Sequence, residues 1–250
     1  MLDVRNLTVQ FAGLTAVNDL SFSVRRGEIF TIMGPNGAGK TTAFNAIGGF
    51  TRPRNGTVTF NGQTLTGLPP DKIAGLGVRR TFQTNGILRE MTVLENVLTG
   101  LELNTPSTLL GVITGMPGSA RAEREATARA RETLHEMDIS DLADRMAGDL
   151  SFGQQRMVEI ARAIAAGASL IMLDEPAVGL SPSERGHLGD ELRKLAAQGI
   201  TVLMVEHVQD LVMAVSDQVL VMNYGKKIAH STPQEVRQNK EVLEAFLGYA

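Results

Sequence analysis

Two short tracts hold residues whose types and spacing could do chemistry. Gly34-Pro35-Asn36-Gly37-Ala38-Gly39-Lys40-Thr41-Thr42 fits G-x-x-x-x-G-K-[ST], a loop in which backbone N–H groups wrap polyphosphate oxygens. Gly34, Gly37 and Gly39 permit turns and close approaches that a Cβ would obstruct. Lys40 neutralises the anion, read here as a surface-loop cation that contributes little to the core, and Thr41 offers a hydroxyl to Mg²⁺. The second tract is Leu150-Ser151-Phe152-Gly153-Gln154. Ser151 can cap a helix read from Gln154 to Ala166, Gly153 admits a close neighbour, and a helix N-terminus attracts negative charge. The first tract implies a nucleoside triphosphate; the second alone implies no more than a capped helix.

Asp174 and Glu175 are adjacent carboxylates that end the apolar run Leu170-Ile171-Met172-Leu173. A carboxylate buried at such a strand end needs a cation, which suits Asp174 to a metal and leaves Glu175 free to polarise water. His207 follows another apolar run, Val202-Leu203-Met204-Val205, through Glu206, so it would emerge at the same edge. Gln83 follows a strand expected from Val78 to Phe82 and would join them. His135, His187 and His230 fall in polar helical or loop contexts and read as ordinary surface residues. None of the 4 histidines has metal-ligand spacing.

These side chains need an α/β scaffold to bring them together. Leu2, Val4, Leu7, Val9 and Phe11 nearly alternate, which predicts a half-buried antiparallel strand. Glu28 to Met33 predicts a strand running into the glycine loop, and Lys40 to Gly48 a helix leaving it, the context in which that loop binds phosphate. Further strands are expected at Thr57 to Asn61, Leu170 to Leu173, Thr201 to Val205 and Val219 to Met222, with a helical stretch from Thr84 to about Ala166. The chain has 250 residues, no cysteine and a formal net charge of −3. It has no repeats and no long linker, so one globular unit is expected, without a disulfide framework. The charge and the lack of a basic stripe argue against nucleic acid. Met1 to Asn6 lacks the apolar core of an export signal, and no apolar run approaches the roughly 20 residues of a spanning helix. Leu109-Leu110-Gly111-Val112-Ile113, between Pro106 and Pro117, could pack within a helical hairpin or meet a membrane subunit.

Taken together, the tracts resemble the ATP-binding cassette family, from Leu2 to about Gly248. The resemblance implies a P-loop NTPase fold: an α/β core at about 1–83 and 167–250 with an N-terminal antiparallel β subdomain, and an inserted α-helical subdomain at about 84–166, all one unit over 1–250. It implies ATP and Mg²⁺, with ATP bound by Gly34 to Thr42 and Mg²⁺ by Thr41, Gln83 and Asp174. Glu175, Gln83 and His207 would act in hydrolysis. Phe11 stands where the family places an aromatic against adenine; core packing is the other reading. Leu150 to Gln154 would face the nucleotide of an opposing ATPase subunit, identical or related, in a head-to-tail dimer. Two membrane-spanning permease subunits and, indirectly, a substrate-binding protein would complete the machine, with this chain peripheral on the cytoplasmic face. Phe152 replaces the first glycine of the common Leu-Ser-Gly-Gly-Gln form, and Ser181 stands where an aspartate is common. Gly13-Leu14-Thr15-Ala16-Val17, Arg80-Thr81-Phe82-Gln83, Glu175 to Leu180 and Glu244-Ala245-Phe246-Leu247-Gly248 are similar to the ATPase subunits of branched-chain amino-acid importers. Alternatives are the ATPase of a urea or amide importer, that of a lipid exporter, or a soluble cassette protein outside transport.

Overall fold

The computed structural model describes residues 1–81, 86–102 and 119–247. Gln83 and the segment Leu109–Ile113 lie outside them. In chain order the first elements are β1 (Leu2–Phe11), β2 (Leu14–Val24), β3 (Ile29–Met33), α1 (Lys40–Ile47), β4 (Asn55–Phe60), β5 (Gln63–Thr64), α2 (Pro70–Gly75) and β6 (Val78–Arg80). Next come α3 (Val93–Glu102), α4 (Ser119–Glu136) and α5 (Phe152–Ala165). The remainder is β7 (Leu170–Asp174), α6 (Pro182–Ala197), β8 (Thr201–Val205), α7 (Gln209–Val215), β9 (Gln218–Asn223), β10 (Lys226–Ser231), α8 (Pro233–Gln238) and α9 (Lys240–Leu247).

The near-alternation at the start of the chain is a strand interrupted by a bulge. Leu2, Val4, Leu7 and Val9 are all buried, although Val4 and Leu7 differ by an odd number. The register against β2 shifts between these two residues, and Asn6 adopts φ 49° there. An extra residue in one strand restores inward facing, so both halves of β1 bury the same face. β1 pairs antiparallel with β2 and β4 in a sheet of order β2-β1-β4-β5.

The second sheet carries the order β10-β9-β3-β8-β7-β6. From β9 to β6 the pairing is parallel; β10 closes one edge antiparallel to β9. All residues of β3, β7 and β8 are buried, and apart from Thr31, Thr201 and Asp174 they are apolar, as expected of parallel strands covered on both faces. Alternate side chains feed different cores. Leu170, Met172, Leu203 and Val205 pack with α1 and the antiparallel sheet, among them Phe44, Ile47, Leu2 and Phe60. Ile171, Leu173, Val202 and Met204 face a second core shared with the helices, including Val97, Leu134, Ile160 and Leu192. Among the described residues no helix is long and apolar enough to cross a membrane.

The helices α3, α4 and α5 are inserted between β6 and β7. α3 turns Val93, Val97 and Leu101 inward at one-turn spacing, the stripe that buries a helix face. Its contact with α5 is close: a Cβ on Gly100 would lie 2.5 Å from the Arg162 carbonyl oxygen. Glu159 and Arg162 of α5 also hold the chain at Gly86. Gly86 N–H donates to Glu159 Oε1 at 2.6 Å, and Arg162 donates to the Gly86 carbonyl at 2.7 Å. Gly100→Ala is therefore expected to separate α3 from α5 and lower the unfolding free energy by about 1–3 kcal/mol, the usual cost of overpacking. Urea unfolding monitored by circular dichroism measures it, and a change below about 0.5 kcal/mol would show that the two helices tolerate separation.

Candidate functional site

Parallel pairing sets three strand ends side by side. Ile32 of β3 is level with Val205 of β8, and Val205 is level with Asp174 of β7. The glycine loop, Glu206-His207 and Asp174-Glu175 therefore leave the sheet at one edge, where α/β sheets collect their ligand-binding loops. The loop is seated against its neighbours. Gly34 at φ 150° would place a Cβ 2.2 Å from the Met222 carbonyl oxygen, and Gly39 at φ 97° one 2.3 Å from that of Ala16. No side chain caps α1 at Gly39, so the first amides of that helix remain available to an anion.

Lys40 differs from the sequence expectation. It is buried rather than a surface-loop residue, and its Nζ donates to the carbonyls of Gly34 at 2.8 Å and Pro35 at 2.9 Å. Burial lowers the ammonium pKa, while Glu175 and then Asp174 oppose the shift electrostatically. The lysine thus belongs structurally to the loop it would serve.

Asp174 is almost fully buried. Its Oδ2 accepts from Arg80 at 2.9 Å, while Oδ1 is buried with no hydrogen-bond partner among the described residues. A buried carboxylate oxygen without a donor is costly. Arg80 is fixed in turn by Asn45 Oδ1 at 2.6 Å and lies over the rings of Phe44 and Phe50, 4.8 and 5.0 Å from their centroids.

Glu175 has φ 48°, a left-handed conformation that is uncommon for a side-chain-bearing residue and concentrates where strain serves a site. Its Oε1 lies 3.9 Å from His207 Nδ1. Between them sits a residue to which sequence reasoning gave no role. Glu206 is fully buried; Oε1 accepts the N–H groups of His207 at 2.8 Å and Val208 at 3.0 Å, and Oε2 accepts that of Ala177 at 3.0 Å. One carboxylate ties the turn after β8 to the turn after β7, and so fixes the backbone beneath both His207 and Glu175. The signal in the sequence was an acid at the end of the apolar run Val202 to Val205.

In front of this edge lies a cavity of about 630 Å³, whose lining includes Phe11, Asn36, Lys40, Thr42, Glu175 and Tyr224. Phe11 is 49% exposed, so the core-packing reading does not hold. Thr41 is exposed at the start of α1, whereas Ala38 is buried. His135 and His187 are exposed; His230 is exposed too, but on β10 rather than in a helix or loop, its ring edge-on to Phe30.

The second tract stands apart. Ser151, Gly153 and Gln154 line a different cavity, of about 340 Å³, and the chain does not bring them to its own glycine loop. Ser151 caps α5 in a reciprocal capping box with Gln154. Leu150 is buried, while Phe152 is 65% exposed.

An anion loop on β3, an acid pair on β7 and a histidine after β8 define the class: a P-loop nucleotide-binding protein with a cassette-type insertion. The sequence pattern of the ABC transporter family matches residues 17–178. The chain is 41% identical over 251 residues to the high-affinity branched-chain amino acid transport ATP-binding protein BraF of Pseudomonas aeruginosa, covering 100% of this chain and 98% of that protein. It is 42% identical to the corresponding LivG protein of Salmonella typhimurium, at the same coverage. The crystal structure of an ATP-binding cassette of an ABC transporter in its ADP conformation superposes with TM-score 0.87 at 35% identity, covering 99% of this chain and 98% of that one. A dimeric bacterial ABC transporter cassette gives 0.76 at 26% identity, covering 93% and 99%. The chain belongs to the ABC transporter family, and its fold is that of the ATP-binding cassette.

Removing the buried tie tests the geometry. Glu206→Ala leaves three backbone N–H groups without their acceptor and should lower the unfolding free energy by at least about 2 kcal/mol, since each buried donor left unpaired costs about 1–3 kcal/mol. Equilibrium urea denaturation measures it; unchanged stability would mean that water replaces the carboxylate.

Proposed function

We propose that this chain is the ATP-hydrolysing subunit of an importer for branched-chain or other hydrophobic amino acids. The observation that carries the reading is the convergence of Lys40, Asp174, Glu175 and His207 on one sheet edge. The cargo class rests on the full-length similarity to BraF and LivG. ATP would lie along the cavity with its phosphates on the loop amides of Gly34 to Thr42 and its adenine against exposed Phe11. Lys40 would turn its ammonium from the loop carbonyls to the phosphates.

The acid at Asp174 suits a hard cation. Its buried, donor-less Oδ1 and the exposed hydroxyl of Thr41 are oxygen ligands of the kind Mg²⁺ takes, and Gln83 is assigned to the same shell. Bound there, Mg²⁺ would neutralise charge on the phosphate oxygens. Glu175 would accept the proton of the water that attacks the γ-phosphorus as the bond to the bridging oxygen breaks, releasing ADP and phosphate. His207 would hold that water and the γ-phosphate, with Glu206 keeping its backbone in place.

Ser151, Gly153 and the start of α5 would complete the nucleotide site of an opposing subunit in a head-to-tail dimer, since they line a cavity separate from that of the chain's own glycine loop. The helical insertion over 84–166, two permease subunits and a substrate-binding protein would convert closure into translocation, with this chain on the cytoplasmic face of the membrane.

Two substitutions separate binding from chemistry. Lys40→Ala should weaken ATP affinity by about 10- to 100-fold, the worth of a charge-assisted contact. It should also cost measurable stability, because the Gly34 and Pro35 carbonyls lose their donor. Calorimetric titration and urea melts report both; full ATP affinity in the variant would sink the loop assignment. Glu175→Gln keeps shape but not basicity, so hydrolysis should fall by roughly 10²–10⁴-fold while ATP still binds. A parental rate would move the base elsewhere.

A further inference from the structure

The end of α5 that is assigned to the partner's phosphate already holds an anion, supplied by this chain. Glu184, in the first turn of α6, sends Oε1 to the Ser151 hydroxyl at 2.9 Å and to the Gly153 N–H at 3.3 Å. Its Oε2 accepts from the Ser181 N–H and hydroxyl, both at 2.9 Å. One carboxylate thus bridges two helix N-termini, each of which favours negative charge. The fit is close at Gly153: a Cβ there would lie 2.7 Å from Glu184 Oε1 and 2.9 Å from its Cδ. The missing side chain is used within the monomer. Hydrogen bonds from Ser181 first, then Ser151, depress the Glu184 pKa to about 2, which favours the ionised form.

We propose that Glu184 is a resident competitor for the phosphate-binding end of α5, which must withdraw before the opposing subunit's γ-phosphate can dock on Ser151 and Gly153. The inference rests on the composite-site reading above. Its physical content is exclusion: Ser151 has one hydroxyl proton and Gly153 one amide proton, and both are committed to the same carboxylate oxygen. An incoming phosphate oxygen can take them only by displacing Glu184, and the two anions repel at that distance. Withdrawal has somewhere to go, because Oε2 remains anchored to Ser181 and the cavity of about 340 Å³ opens beside it. Asp138, Asp141 and His187 are the other ionisable groups on that cavity; none is hydrogen-bonded to Ser151 or Gly153 among the described residues. Occupancy by Glu184 would raise the nucleotide and protein concentration needed for closure, holding the subunits apart until nucleotide is plentiful.

The test uses the full chain carrying Glu175→Gln, so that ATP persists. Size-exclusion chromatography with light scattering, run over a series of protein concentrations with ATP or ADP, compares this parent with the same chain carrying Glu184→Gln. Gln retains the capping-box acceptor of α6 and removes the charge. The expected result is an ATP-dependent dimer whose half-dimer concentration falls about tenfold on Glu184→Gln, the scale of one charge-assisted contact, with no change in ADP. Equal or weaker dimerisation than the parent would overturn the inference and make Glu184 neutral or supportive at the interface. Adding Ser151→Ala to both chains closes a double-mutant cycle. The gain should shrink there, because the contested donor is gone; an undiminished gain would show that Glu184 acts through general charge and overturn the proposed contact. If neither chain dimerises with ATP, the composite-site reading itself fails, and the inference with it. A monomeric parent beside a dimerising Glu184→Gln chain would be the expected result in its strongest form.

Discussion

Everything at the site depends on three parallel strands being level. Apart from Asp174 at the end of β7, the strands β3, β8 and β7 contribute nothing chemical along their lengths, yet their pairing decides that a glycine loop, an acid pair and a histidine, drawn from distant parts of the chain, end within reach of one another. Parallel pairing between strands this apolar tolerates little slippage. A shift of one residue would turn each strand's alternate side chains toward the wrong core, exchanging the set that meets α1 for the set that meets the helices. The two cores therefore lock the register, and the register assembles the chemistry.

A second layer of control lies in carboxylates that hold backbone rather than substrate. Glu206 gathers amides from two turns; Glu159, with Arg162, grips Gly86. Burying such groups is favourable only because each meets several donors. At Glu159 burial still pushes the pKa upward, against the opposing pull of Arg156. The effect is positional: the turns after β7 and β8 are tied to each other, and Gly86 is tied to α5, the helix whose first residues are assigned to the partner nucleotide.

The sequence was most informative where function is written into local spacing. The glycine loop is contiguous, and Asp174, Glu175 and His207 each follow a strand that is visibly apolar, so topology alone brings them together. The α/β fold with an N-terminal antiparallel sheet was legible for the same reason. What stayed hidden depends on contacts between residues remote in the chain. Arg80 reaches Asp174 across a separation of 94 residues, Glu206 reaches Ala177 across 29, and Glu184 reaches Ser151 across 33. No period or motif encodes such pairs. Lys40 was misjudged because its loop was treated as surface, when its ammonium is buried against the Gly34 and Pro35 carbonyls of that loop. β2 escaped notice because its solvent face mixes polar and apolar residues, and β1 hid a bulge that only its pairing with β2 reveals.

The strand order also fixes when the phosphate loop can exist during synthesis. β3 emerges early from the ribosome, but both of its partners in the sheet, β8 and β9, belong to the last part of the chain. Gly34 is seated against the Met222 carbonyl and Gly39 against Ala16, beside Gly225. The N-terminal antiparallel sheet can form from local contacts, whereas the central strand must wait for pairings of very long sequence separation, which form slowly. A nascent chain halted before β9 would carry the complete phosphate motif in its sequence without the walls that shape it. Competence to grip nucleotide is thereby reserved for chains that are nearly finished.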